Sequence, residues 1–160
     1  MSDTKPVEKA SIVLLSGDMD KVMAAFIIAN GAAAFDMEVS MFFTFWGLKA
    51  IQKGNLTGTG VMGKMLGVMN RGGMKRLNPS KLSFGGMGRV MFKMMMKKHK
   101  VATLPEMLKQ AQEQGVKLTA CEMTMNVMEI KKEDLIDGVK IGGVASFIAD
   151  ASESKFTLFI

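Results

Sequence analysis

The chain has 160 residues, 48% of them hydrophobic, a net charge of +6 and one cysteine, which suits a single domain with a substantial core and is a squeeze for two. No uninterrupted run of about 18 apolar residues suggests a spanning helix, and the polar, mixed-charge start, residues 1–9, has no apolar core of a signal peptide. One cysteine permits no internal disulfide, so the expectation is a cytoplasmic protein, with any membrane association peripheral.

The charge is divided rather than spread. Residues 40–105 carry twelve Lys or Arg and no Asp or Glu, whereas the remainder carries nine basic and fifteen acidic residues. A basic insertion therefore sits in an acidic body, a pattern that points to an anionic surface, an acidic partner or an acidic patch on a neighbouring copy.

After the polar leader, residues 10–16 (Ala-Ser-Ile-Val-Leu-Leu-Ser) form a continuous apolar run, the pattern of a strand buried on both faces of a parallel sheet. Ser16-Gly17-Asp18 is a turn with a capping residue, and residues 19–35 have apolar positions at helical spacing. Strand, turn and helix in that order open a βαβ unit. Residues 37–45 are the second strand, with Val39, Met41, Phe42, Phe43 and Phe45 supplying β-branched and aromatic character. Residues 46–53 read as a short helix at its carboxyl end. The lone Trp46 there either covers the sheet edge or walls a pocket.

Residues 55–100 hold ten basic residues and nine of the eighteen methionines. Val61-Met62, Met65-Leu66 and Val68-Met69 recur at helical intervals, as do Met87, Val90-Met91 and Met94-Met95, with lysines and arginines between them. The glycines at Gly72-Gly73 and Gly85-Gly86-x-Gly88 read as hinges. The two basic amphipathic segments pack against the sheet or a second subunit, or meet an anionic membrane or partner through 61–98. Two aromatics in this stretch, Phe84 and Phe92, are too few for a stacking platform, so no nucleic-acid partner is expected.

Thr103 is an N-cap for a helix from Leu104 to about Gly115, which feeds a short strand, residues 116–120, closed by Cys121. Residues 122–127 and 132–137 read as short helical pieces, 140–144 as a short strand or turn, 144–152 as a helix and 156–160 as a terminal strand. The expected fold is α/β: about five mostly parallel strands, helices on both faces, one domain over residues 1–160 with the 55–100 insertion inside it.

Cys121 is the strongest chemical candidate. At a strand's carboxyl end, before a helix, it lies where α/β sheets bind ligands, and free N–H groups of residues 122–124 favour a thiolate. The competing reading is an inert, buried small hydrophobe. Ser16, Gly17 and Trp46, with Glu122, Met123 and Thr124, are the expected pocket, and the basic insertion is expected to fold near the thiol. Glu122 beside the sulfur would raise its pKa by like-charge repulsion. His99, among lysines, reads as a solvated residue rather than a base for Cys121. One cysteine and one histidine cannot supply a four-ligand zinc site, so no metal is expected. Ser16-Gly17-Asp18 has no Gly-x-Gly-x-x-Gly or Walker lysine pattern, and Asp18 and Asp20 would repel a phosphate.

Ile12-Val-Leu-Leu-Ser16, Phe42-Phe43-Thr44-Phe45-Trp46-Gly47 and, above all, Ala120-Cys121-Glu-Met-Thr-Met-Asn-Val-Met128 resemble the DsrE/DsrF-like family, in particular its sulfurtransferase and peroxiredoxin-like subgroup. The likeness spans nearly the whole chain. It implies a compact DsrEFH-like α/β fold, homo-oligomeric assembly, and a cysteine, here Cys121, that holds sulfane sulfur as a persulfide and passes it to a TusA-type carrier or related enzyme. Where the subgroup commonly has Ser and Asp, this chain has Thr124 and Asn126. The expected activity is that of a sulfurtransferase-like sulfur carrier that needs no cofactor; the alternative is a non-catalytic interaction module that docks on a membrane-associated or acidic partner through its Met-rich insertion.

Overall fold

A computed structural model describes residues 6–160; residues 1–5 of the polar leader lie outside them. Strands β1 (Lys9–Leu14), β2 (Glu38–Phe43), β3 (Lys117–Cys121), β4 (Val139–Gly142) and β5 (Phe156–Phe159) form one sheet. The strand order is β4-β3-β2-β1-β5. Every neighbouring pair is parallel, so the expected mostly parallel sheet is parallel throughout.

Register divides the strand residues between two faces, because side chains alternate along each strand. Ala10, Ile12 and Leu14 align with Val39, Met41 and Phe43, and these join Leu118 and Ala120 in the main core. Ser11, Val13, Ser40, Phe42, Thr119 and Cys121 occupy the alternate positions and look the other way. Helices α1 (Met19–Ala34) and α4 (Leu104–Glu113) cover the first face and pack their apolar stripes into that core. There Phe26 of α1 meets Phe43 with ring centroids 6.3 Å apart.

The second face is covered by α6 (Val144–Ser152), a helix with no fully buried residue. Its Phe147 packs on Val13, Phe42 and Cys121. The rings of Phe42 and Phe147 are 5.5 Å apart.

Local sequence explains the helix boundaries. Asp18 takes the extended N-cap conformation of α1 without capping through its side chain. Instead the Ser16 hydroxyl accepts from the Asp18 N–H at 3.1 Å, and the Asp18 carboxylate pairs with Lys21 at 2.9 Å. Thr103 and Glu106 form a reciprocal capping box at α4, with a proline in the first turn, satisfying donors that the first helical turn leaves free. Asn30 of α1 donates to the Met107 carbonyl of α4 at 3.0 Å, which fixes the two helices against each other.

Between β2 and α4 run a 3-10 segment, Phe45–Ile51, then α2 (Val61–Met69) and α3 (Met87–Lys98). The basic insertion is held to the acidic body by carboxylates that accept from its neutral donors. Glu129 accepts from the Thr59 N–H at 2.6 Å and the Gly60 N–H at 3.0 Å, at the start of α2. Asp20 accepts from the Ser80 N–H and hydroxyl, each at 2.7 Å. Buried Asp134 accepts from Asn55.

Two of the glycines expected to act as hinges are instead sites of close packing. A Cβ on Gly72 would stand 1.8 Å from Gln52 Oε1, and one on Gly88 would stand 1.8 Å from the Leu82 carbonyl oxygen. The helical turn expected over 132–137 contracts to a 3-10 turn, Lys132–Asp134; the chain then leaves it at Leu135 to bridge antiparallel to Gln52.

Gly47 sits against β1, where a Cβ would lie 2.0 Å from the Leu14 carbonyl oxygen. Gly47→Ala is therefore expected to destabilise the fold by about 1–3 kcal/mol through overpacking, read as a lower urea midpoint with an unchanged slope.

Candidate functional site

Cys121 ends β3 and serves as the N-cap residue of α5 (Glu122–Val127), in extended conformation. Its place follows from register. Phe43 aligns with Ala120, so Thr44, one residue beyond β2, comes level with Cys121. The first turn of α5 brings Thr124 back over the same point, where its hydroxyl lies 3.0 Å from that of Thr44. Thr124 is fully buried and Cys121 is 5% exposed.

Burial by itself pushes the Cys121 thiol up, since a thiolate is poorly solvated there. The nearby Thr124 hydroxyl and N–H, Thr44 hydroxyl and Met123 N–H, as donors close to the sulfur, outweigh it, and the thiol's pKa lies below that of an ordinary cysteine. Phe45 N–H donates to Thr124 Oγ1 at 3.4 Å, which fixes the Thr124 hydroxyl beside that of Thr44. Phe45 holds a left-handed φ of +43°, a conformation that costs a non-glycine residue about 1–3 kcal/mol and often marks a functional turn. The arrangement places donors near the sulfur, which stabilise the thiolate against its burial cost.

The expected pocket residues fall into two groups. Ser16, Gly17 and Trp46 line a cleft of about 840 Å³ at the carboxyl end of β1, with Met62, Met65 and Met69 of α2 as its opposite wall. Trp46 walls this cleft, and Lys49 stands 5.8 Å from its ring centroid; burial lowers the pKa of Lys49. Thr124 contacts Cys121, whereas Glu122 and Met123 have exposed side chains and only the Met123 backbone reaches the sulfur. Cys121 is absent from the cleft's lining and packs with Val13, Phe42 and Phe147 on the α6 face. The insertion meets the cysteine segment farther along, where Glu129 caps α2. His99 is the exposed C-cap of α3 and is not among the donors to the thiol.

A second, smaller groove of about 390 Å³ runs beneath α6, lined by Thr119, Gly142, Lys117 and Lys140 and by Phe42 and Phe147, which also pack on Cys121. Thr44, Phe147 and these lysines were not marked by sequence pattern. Finding Thr44 requires the β2–β3 register; finding Phe147 requires knowing which face of β3 bears the cysteine.

The profile of the DsrE/DsrF/DrsH-like family matches residues 6–159. The chain belongs to that family. It is 49% identical over 159 residues to the uncharacterized protein YrkE of Bacillus subtilis, covering 98% of this chain and 99% of that one. It is 35% identical over 156 residues to the sulfur carrier protein DsrE2 of Allochromatium vinosum, covering 96% of this chain and 98% of that one. Among solved structures, the YchN protein of Escherichia coli superposes with a TM-score of 0.56 at 15% identity, covering 96% of this chain and all of that one. Protein MTH1491 of Methanobacterium thermoautotrophicum does so with a TM-score of 0.55 at 11% identity, covering 96% and 99%. At those identities the two structures bear on the fold alone, and the DsrE-like fold is the one observed.

Two substitutions test the geometry around the thiol. Thr124→Val removes a hydroxyl donor while keeping shape, so the pH profile of Cys121 alkylation by iodoacetamide is expected to move to higher pH, with less thiolate at neutral pH. Phe147→Ala uncovers the sulfur and is expected to speed alkylation several-fold at fixed pH and to move that profile to lower pH, because relieving burial favours the thiolate.

Proposed function

We propose that this member of the DsrE/DsrF/DrsH-like family is a sulfur carrier that holds sulfane sulfur as a persulfide on Cys121. The observation that carries the reading is a buried thiol whose hydrogen-bond donors all favour the thiolate, in a chain similar along its length to a sulfur carrier protein. In the loading step the Cys121 thiolate attacks the terminal sulfane sulfur of a donor persulfide. A new Sγ–S bond forms, the donor S–S bond breaks, and the donor leaves as a thiolate. In discharge an acceptor thiolate attacks the terminal sulfur and Sγ leaves as the thiolate. No net redox change occurs, so neither a cofactor nor a second cysteine in this chain is required.

Donors gathered around Sγ assist both steps. They maintain the nucleophile before loading, and they stabilise the leaving group at discharge, where a lower-pKa thiol departs faster. A small TusA-type sulfur carrier is the partner class that suits this exchange, and a homo-oligomer is the assembly proposed for the chain.

A second reading, a docking module that uses the 55–100 insertion, draws on the outer faces of α2 and α3. Val61, Met62 and Met69, with Met87, Met94 and Met95, are exposed, and lysines lie between them. That surface suits peripheral contact with an anionic membrane or acidic partner.

Incubation with polysulfide is expected to add the mass of sulfur to the wild-type protein and not to Cys121→Ser, as read by intact mass spectrometry. Failure of every donor tested to give a Cys121-dependent adduct would sink the carrier reading. Salt-sensitive co-sedimentation with anionic liposomes, retained in Cys121→Ser, is the result expected of the docking module.

A further inference from the structure

A cavity of about 760 Å³ lies between α3 and the start of α4, and none of its lining residues belongs to the Cys121 site or to the cleft at Trp46. Its size is that of a small-molecule site. The floor is apolar and drawn from four separate elements of the chain: Met19, Met74, Met96 and Leu104, each 7% exposed or less. The rim carries four lysines, Lys75, Lys93, Lys97 and Lys100.

Those charges are unbalanced. Among the described residues, none of the four lysines forms an ion pair, since every salt bridge involves a lysine elsewhere. Glu106, the one carboxylate lining the cavity among the described residues, is already engaged: it accepts from the Thr103 N–H at 2.7 Å and the Thr103 hydroxyl at 2.8 Å. Lys93 is held at the rim by donating to the Lys75 carbonyl at 2.8 Å. Burial, and then the cations Arg89 and Lys75, lower its pKa, so an anion placed among these groups would relieve their mutual repulsion.

The lining also discriminates among anions. It contains no aromatic side chain, so it offers no platform for a nucleobase. Methionine and leucine instead present a flexible aliphatic surface. Lysine supplies point charges that accept a carboxylate or a phosphate without the fixed fork of arginine.

We propose that this cavity binds a single-chain anionic amphiphile, with its aliphatic tail against Met19, Met74, Met96 and Leu104 and its carboxylate or phosphate head among Lys75, Lys93, Lys97 and Lys100. The site is separate from sulfur exchange and does not depend on it. The head chemistry is shared by a free fatty acid and a lipid phosphate, and the choice of probe distinguishes them.

The test is calorimetric titration of the full chain, below micelle-forming concentrations, with laurate, dodecyl phosphate, the neutral dodecyl maltoside and inorganic phosphate. At least one of the two anionic amphiphiles is expected to bind saturably at one per chain, and roughly tenfold or more tighter than either the neutral amphiphile or phosphate alone. Tighter laurate binding points to a fatty acid, and tighter dodecyl phosphate binding to a lipid phosphate. In Lys93→Gln/Lys97→Gln, whose thermal midpoint checks that it still folds, anionic binding is expected to weaken about tenfold while dodecyl maltoside is unaffected. Cys121→Ser is expected to bind as wild type does, so persulfide loading and amphiphile binding fail or succeed separately. Equal affinity for the neutral amphiphile, equal affinity for bare phosphate, no saturable binding of either anionic amphiphile, or binding indifferent to the two lysines would each overturn the proposal.

Discussion

The site depends on one constraint: a thiol taken almost entirely out of water must have its charge met by protein donors. Burial opposes the thiolate, so hydrogen bonding to the sulfur has to exceed that cost for the group to be reactive. The fold meets the condition by parallel register. Because Phe43 aligns with Ala120, Thr44 reaches the level of Cys121, and the turn into α5 delivers Thr124 and two backbone N–H groups to the same atom. The left-handed φ of Phe45 turns the chain immediately after Thr44 and lets the next N–H support Thr124. Strand pairing, helix start and strained turn thus converge on Sγ.

Charge separation is the second organising feature. The acidic body spends carboxylates on the insertion's neutral donors: Glu129 on Thr59 and Gly60, Asp20 on Ser80, Asp134 on Asn55. Such contacts hold the insertion in place without neutralising it, and no lysine or arginine between residues 55 and 100 forms an ion pair among the described residues. The field of those cations therefore remains available to an external anion. Apolar methionines beside them supply the adaptable contact that such a ligand or surface needs.

Much of the fold was legible because its signals are local. The apolar run at the start of the chain, the helical spacing after Asp18 and the Thr103–Glu106 capping pair each state their structure within a few residues, and the helices over 61–69, 122–127 and 144–152 appear where spacing placed them. The glycines at 72 and 88 were misleading for the same reason. A glycine allows both a hinge and a close contact, and only the neighbours Gln52 and Leu82, distant or adjacent in sequence, decide between them.

For the candidate site, sequence determined that there is one thiol, that it stands between a strand and a short helix, and that its flanking residues include a hydroxyl at position 124. It could not determine which way the thiol faces, because alternation along a strand defines two sides without saying which lies under which helix. Tertiary structure decided that Cys121 lies beneath Phe147 rather than in the cleft with Ser16, Gly17 and Trp46. It also decided that Thr44 is the thiol's cross-strand neighbour. Both outcomes come from pairing between strands about 80 residues apart, and such register is a property of the assembled sheet that no single segment carries.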